Sequence, residues 1–220
     1  MILLTGFEPF GGNDTNPSWD AAQLAAELLR ADRGSVECLE LPCVFGTAGE
    51  VLCQAVDRLR PTIIVCVGLA GGRERISLER VAINCDDAVI PDNAGNKPVD
   101  EEVVSGGPAA YFTSLPLKAA LRELRIAGVR AEVSQTAGTY VCNHVFYTLM
   151  HHLQGNPGTK GGFVHVPFPD TQVVAGGRET SMTLGEMAEA IAVVVRTAEH
   201  TDAAEPKLSA GALPWRQAGK

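Results

Sequence analysis

Three side chains, far apart in the 220-residue sequence, have the types that nucleophilic catalysis needs: Cys142, His165 and Glu79. Cys142 lies in Ser134-Gln135-Thr136-Ala137-Gly138-Thr139-Tyr140-Val141-Cys142-Asn143-His144, which reads as a strand, a small-residue turn and the start of a helix. Apolar residues then recur at Val141, Val145, Leu149 and Leu153, with Phe146 and Met150 beside them. They form one wide helical face, and Gly155 is its stop. A helix N-terminus presents unsatisfied N–H groups and about half a positive charge, so it favours a thiolate over a thiol. The same N–H groups can hold an oxyanion. The alternative for Cys142 is a small buried hydrophobe, the commonest fate of a free cysteine.

A thiol nucleophile wants a base. His144 is nearest in sequence, but on a helix it lies about 200° around from Cys142 and points elsewhere. His151 and His152 fall about 14 Å further along the helix axis. His165 sits in a short apolar run, Phe163 to Phe168, that reads as the next strand. In a parallel α/β sheet, strands end on the edge where the following helices begin, which puts His165 near Cys142. Otherwise it is a hydrogen-bonded core histidine. Glu79 lies on a weakly alternating stretch, Ile76 to Ile83. A lone strand carboxylate is commonly solvated. Its functional role would be to orient His165, fixing the imidazole tautomer and stabilising the cation.

The elements that must hold these residues follow from periodicity and punctuation. Ile2 to Leu4 reads as a buried strand, and Gly6-Phe7-Glu8-Pro9-Phe10-Gly11-Gly12 as a loop that matches neither a dinucleotide fingerprint nor a P-loop. Phe7 and Phe10 either plug the sheet end or face a ligand. Asn16 caps a helix with Pro17 at its first position. Val36 to Leu41 reads as a strand near an edge, and Thr47 to Glu50 has capping-box spacing for a helix to about Leu59. Thr62 to Val67 is a continuous apolar run, a central parallel strand, with Gly68 to Arg73 at its carboxyl end, where open α/β sheets build their sites. Ile90 to Pro98 is dense in turn formers, a mobile surface loop or a subunit contact. Ser114 caps a helix bearing Leu117, Leu121 and Leu124, with Gly128 past its end, and Val129 to Gln135 is the strand that leads to Cys142. Thr183 and Glu186 form a capping box for the last helix. One domain over 1–200 is expected, followed by a flexible tail, 201–220, that lacks periodicity.

A net charge of -8 argues against nucleic-acid binding by bulk electrostatics. No apolar run approaches the roughly 20 residues that span a bilayer, so no membrane partner is expected. The N-terminus enters a strand without a basic region or small-residue cleavage site, and a cytoplasmic location is the expectation. The six cysteines include no Cys-x-x-Cys and no zinc spacing, so reduced thiols, no metal and no cofactor are expected.

Several motifs together resemble one known family. They are Thr5 to Gly12 with Asn16-Pro17-Ser18-Trp19, Gly71-Gly72-Arg73, Glu79 to Asn84, Ile90-Pro91-Asp92-Asn93, Thr136 to Asn143, and Gly162 to Pro167. Over about residues 1 to 198 the chain resembles pyroglutamyl peptidase type I, also called pyrrolidone-carboxylate peptidase. The resemblance implies a cysteine peptidase that removes an N-terminal pyroglutamyl (5-oxoprolyl) residue from peptides. It implies a single-domain α/β/α sandwich with a mainly parallel twisted sheet, a cytoplasmic location and a homo-oligomer, tetramer or dimer. By motif, Cys142 matches the family nucleophile, His165 its base and Glu79 its orienting acid. Phe7 and Phe10 match residues that enclose the pyrrolidone ring, Asn16 a supporting polar residue, and Tyr140 a further aromatic near the ring. Two positions depart from the pattern. Leu69 stands where many members have Gln, altering polar contact with the lactam, and Val89 where many have Arg, removing a positive charge near the scissile carbonyl. The rival expectations are a non-catalytic protein that binds pyroglutamyl peptides and a cysteine amidase for another cyclic amide.

Overall fold

The computed structural model describes residues 1–33, 35–173, 181–201 and 206–211. The chain runs β1 (Ile2–Phe7), α1 (Pro17–Arg33), β2 (Val36–Leu41), α2 (Thr47–Leu59), β3 (Ile63–Leu69), β4 (Ile76–Glu79), β5 (Val81–Ile83), β6 (Ala110–Phe112), α3 (Leu117–Ile126), β7 (Ala131–Ser134), α4 (Val141–His152), β8 (Lys160–Val166) and α5 (Leu184–His200). Six strands form the main sheet in the order β2-β1-β3-β8-β4-β7. The pairs β1–β2, β1–β3 and β3–β8 are parallel; β4 is antiparallel to β8 and parallel to β7. β5 and β6 form a separate antiparallel ladder.

The inner strands are apolar on both faces because both faces are covered. On one side α1, α3 and α5 pack over Ile2, Leu4, Val65, Val67, Leu78, Val164 and Val166. On the other, α2 and α4 pack over Leu3, Ile64, Cys66 and Phe163. Alternate residues of one strand thus serve opposite layers, and the result is the α/β/α sandwich with a mainly parallel sheet.

Helix starts divide into those that follow their local pattern and those that do not. Asn16 Oδ1 accepts the Ser18 N–H at 3.1 Å, with Pro17 as the first helical residue. At α5 the capping box is complete: Thr183 Oγ1 accepts from Glu186 N–H at 3.1 Å, and Glu186 Oε2 accepts from Thr183 N–H at 2.8 Å. The box expected at Thr47 does not form. The chain enters α2 through Gly46 (φ 72°, ψ -64°), where Thr47 N–H donates to the Phe45 carbonyl at 2.8 Å. This is a strained γ-turn that glycine tolerates, and it puts Thr47 already inside the helix. Ser114 does not cap α3 either, which starts after Pro116. Its hydroxyl instead accepts from Gly161 N–H at 2.8 Å and ties the chain to β8. The turn-rich segment around Asp92 is anchored: the buried carboxylate accepts N–H groups from Phe45, Ala94 and Asn96. Of the expected tail, residues 202–205 and 212–220 lie outside the described residues. Leu208 and Ala210 pack against the α1–α3–α5 side, and Lys118 Nζ donates to the Leu208 carbonyl at 2.8 Å.

Candidate active site

The site forms at the carboxyl ends of β3 and β8. Gly68 of β3 is the register partner of His165 on β8. A Cβ on Gly68 would stand 2.8 Å from Cys142 Sγ and 2.8 Å from the Phe163 ring, so this glycine is the gap through which the thiol reaches the sheet. Cys142 is the second residue of α4, behind Tyr140 at the cap position. The route to it differs from the expected one. β7 runs antiparallel to β8, so its end does not share the carboxyl edge of β3 and β8, and residues 135–140 carry the chain back before α4 begins. Asn143, fully buried, fixes that helix start: Nδ2 donates to the carbonyls of Ile83 (2.9 Å) and Cys85 (3.0 Å), and Oδ1 accepts from Ile83 N–H (3.0 Å).

Glu79 and His165 meet across the antiparallel β4–β8 pair, in which Ser77 stands opposite His165 and Glu79 reaches it diagonally. His165 Nδ1 lies 2.7 Å from Glu79 Oε1, with the residues 3% and 0% exposed. Glu79 is therefore not a solvated strand carboxylate. The same Oε1 accepts from Arg73 Nη1 at 2.5 Å, and Arg73 Nη2 donates to the Thr136 carbonyl at 2.9 Å. Arg73 entered the sequence reading only as part of a motif. An isolated arginine six residues before a carboxylate gives no signal that the two meet.

A cavity of about 290 Å³ opens onto these residues. Phe7, Phe10, Asn16, Leu69 and Tyr140 all line it, together with Cys142 and His165, and Glu79 stands behind the imidazole. The Phe10 and Tyr140 rings lie 6.1 Å apart, and Phe45 meets Tyr140 edge-on at 5.4 Å. Tyr140 Oη donates to the Pro91 carbonyl at 3.1 Å, so the aromatic wall is tethered to the Asp92 segment. Asn16 works mainly on the protein itself, since its Nδ2 donates to the Glu8 carbonyl at 2.9 Å and holds the Phe10 loop to α1. Cys43, unforeseen, also lines the cavity, and burial pushes its thiol up to about 12. Val89 is 88% exposed and is not among the residues that line the cavity.

Burial pushes the Cys142 thiol well above its ordinary range. Cys43 and Glu79 add to the rise, and the Arg73 charge opposes it. Burial also lowers His165, against the hydrogen bond and charge of Glu79 that favour the imidazolium. Both shifts favour the neutral form of the group concerned. The helix N-terminus favours the thiolate, and burial of the sulfur beside the cavity opposes it. Among the described residues no group of three or more His, Cys, Asp or Glu is placed to hold a metal ion.

A model of one protein family, described as pyroglutamyl peptidase, matches residues 1–201. The chain belongs to the pyroglutamyl peptidase family. A pyrrolidone-carboxylate peptidase of Clavibacter michiganensis subsp. michiganensis is 49% identical over 212 residues, 96% of this chain and 98% of that one. Another from Pseudomonas fluorescens is 49% identical over 201 residues, covering 91% and 93% of the two chains. Among solved structures, pyroglutamyl peptidase I from Bacillus amyloliquefaciens superposes with a TM-score of 0.84 at 43% identity, over 91% of this chain and 95% of that one. A mutant pyrrolidone carboxyl peptidase from Pyrococcus furiosus gives 0.81 at 40% identity, over 90% and 97%. Every residue of the cavity falls within the stretch that the pyroglutamyl peptidase family model matches.

Proposed function

We propose that this chain removes an N-terminal pyroglutamyl residue from peptides by thioester chemistry. Cys142 is the nucleophile, His165 the general base and acid, and Glu79 the group that orients His165. The observation that carries this reading is the meeting of the Cys142 helix start and the His165–Glu79 pair in one small, aromatic-walled cavity. A compact, flat, neutral lactam suits that cavity between Phe7, Phe10 and Tyr140. Leu69 offers the ring hydrocarbon only, so the lactam N–H and C=O pair with backbone groups of the glycine-rich loops.

With the neutral forms favoured, attack and proton transfer go together. The Cys142 sulfur bonds to the pyroglutamyl carbonyl carbon as its proton passes to His165 Nε2, and Glu79 stabilises the imidazolium. N–H groups in the first turn of α4 hold the oxyanion. As the tetrahedral intermediate collapses, His165 returns the proton to the leaving amine and the thioester remains. His165 then takes a proton from water as the oxygen attacks the thioester, and gives it back to sulfur as pyroglutamate leaves.

The substrate class is peptides bearing N-terminal pyroglutamate. Assembly into a homo-oligomer, tetramer or dimer, is part of this reading. A cytoplasmic location is supported by six free cysteines. No helix among the described residues is long and apolar enough to cross a membrane. Residues 1–200 are read as one peptidase domain. The test is fluorophore release from pyroglutamyl-aminomethylcoumarin by the wild type and Cys142→Ala, with prolyl and glutaminyl coumarins as controls. Turnover of the pyroglutamyl compound alone, lost in Cys142→Ala, is the expected result. A folded wild type that releases nothing overturns the reading.

A further inference from the structure

We propose that Arg73 is a positioning residue for this reaction: its guanidinium pairs with the buried Glu79 and fixes the single oxygen through which Glu79 aligns His165. The proposal rests on the assignment of His165 and Glu79 above. Glu79 has no exposed surface. Both of its polar contacts fall on Oε1, from His165 Nδ1 at 2.7 Å and Arg73 Nη1 at 2.5 Å, while Oε2 has no hydrogen-bond partner. A carboxylate so enclosed, facing only a neutral imidazole, is an uncompensated buried charge. Arg73 is the cation that reaches it among the described residues.

The guanidinium is also fixed from its other side. Nη2 donates to the Thr136 carbonyl at 2.9 Å, in the turn that delivers Cys142. One planar fork therefore ties together the loop after β3, the end of β4 and the turn before α4. Arginine suits the task because its charge is permanent and its donors are set at fixed angles, whereas a lysine supplies charge without the fork. The charge acts on the reacting groups in a useful sense: it favours ionisation of the Cys142 thiol and opposes protonation of His165. The first helps the sulfur as its proton leaves, and the second favours the unprotonated imidazole before attack. Arg73 also lines the cavity and its side chain is 25% exposed, so the competing role is direct contact with the peptide. The two roles separate kinetically, because a substrate contact moves KM and a positioning contact moves kcat.

The experiment compares full-length wild type, Arg73→Ala and Arg73→Lys on pyroglutamyl-aminomethylcoumarin. The expected result is a kcat lowered about 10- to 100-fold in Arg73→Ala, part of what a general base supplies, with KM within about twofold. Arg73→Lys falls between, and guanidinium ion restores Arg73→Ala where sodium chloride of equal ionic strength does not. In 15N-labelled protein, the low-field Nδ1–H resonance of His165 is present in the wild type and shifted or lost in Arg73→Ala. Unchanged kcat, or a loss confined to KM with no rescue, overturns the proposal. If Arg73→Ala fails to fold by circular dichroism, the kcat and the His165 resonance of Arg73→Lys decide it. A wild type without turnover strikes the peptidase reading instead, and the resonance still reports whether Arg73 holds the pair.

Discussion

Two buried histidine–carboxylate pairs in this chain are nearly identical in local geometry and differ in what they leave free. His165 Nδ1 meets Glu79 Oε1 at 2.7 Å, and His144 Nδ1 meets Asp86 Oδ2 at 2.7 Å. At His144 the second ring nitrogen is occupied as well, since Nε2 accepts the Gly46 N–H at 3.0 Å. Its proton therefore sits on Nδ1 and is donated to Asp86. The ring is closed in by Phe45, edge-on at 5.7 Å. At His165 no described residue bonds to Nε2, and the ring lines the cavity with Cys142. Glu79 additionally carries Arg73. An imidazole oriented by a carboxylate is thus as much a structural joint as a catalytic device. A nitrogen left over beside a cavity and a thiol is what separates the two.

Exchanging the two pairs by mutation tests that separation most strongly. His165→Ala is expected to lower kcat by on the order of 10⁴- to 10⁶-fold, the range for loss of a member of a nucleophile–base unit. Its urea midpoint falls less than that of His144→Ala, because Arg73 still pairs with Glu79. His144→Ala does the reverse: it leaves Asp86 buried without its partner and Gly46 N–H without its acceptor, so unfolding free energy falls by about 3 kcal/mol. The folded fraction keeps its kcat. A His144→Ala protein that is stable but inactive would break the comparison outright. One step weaker is the carboxylate exchange. Glu79→Gln keeps an acceptor for His165 but loses the charge that stabilises the imidazolium, and kcat drops by about 10²-fold. Asp86→Asn leaves kcat unchanged, measured on the same coumarin substrate.

The sequence announces Cys142 better than it announces its partners, for a physical reason. The small-residue turn and the apolar face of Val141, Val145 and Leu149 are local, and local periodicity survives folding. The burial of Glu79 is not local: it depends on Arg73 across a turn and on His165, 86 residues away. Composition alone makes such a carboxylate look solvated. Strand direction was also hidden, because β4 and β7 are as apolar in either sense, and periodicity carries no arrow. Thr47 failed as a cap although its spacing was right, because the chain turns at Gly46, whose N–H is taken by His144, 98 residues further on. The layers and the central strands, by contrast, follow directly from runs such as Ile63 to Val67 that are buried on both faces.

The pH dependence follows from burial at the active pair. His165 titrates below its ordinary value of 6.5 because it is desolvated, more than Glu79 compensates. The neutral, basic form therefore persists to lower pH, and the acid limb of kcat/KM is expected below 6.5. No alkaline fall is expected near neutrality, because the Cys142 thiol is displaced upward. The sign for stability is the same. A histidine with a depressed folded value contributes stability in full above about 6.5, and the contribution is lost as pH falls from there through the folded value. His165→Ala should flatten the acid side of the urea-midpoint profile relative to wild type. A steeper acid loss in the variant would mean that His165 is stabilised as a cation instead.

The smallest effect concerns the feature that makes His144 a joint. Gly46 holds φ 72° and ψ -64° while its N–H bonds to His144 Nε2 and Thr47 N–H bonds back to Phe45. A side chain at this backbone conformation meets strain and not a neighbour, since nothing lies within 4 Å of a Cβ placed there. Gly46→Ala keeps the N–H and should cost only the strain, on the order of 1–2 kcal/mol in unfolding free energy, with kcat unchanged. The double variant Gly46→Ala/His144→Ala then reports how much of the joint is shared. If the γ-turn persists only because His144 accepts its N–H, the two losses are less than additive. If they add, turn and imidazole act independently, and His144 is held in place by Asp86 alone.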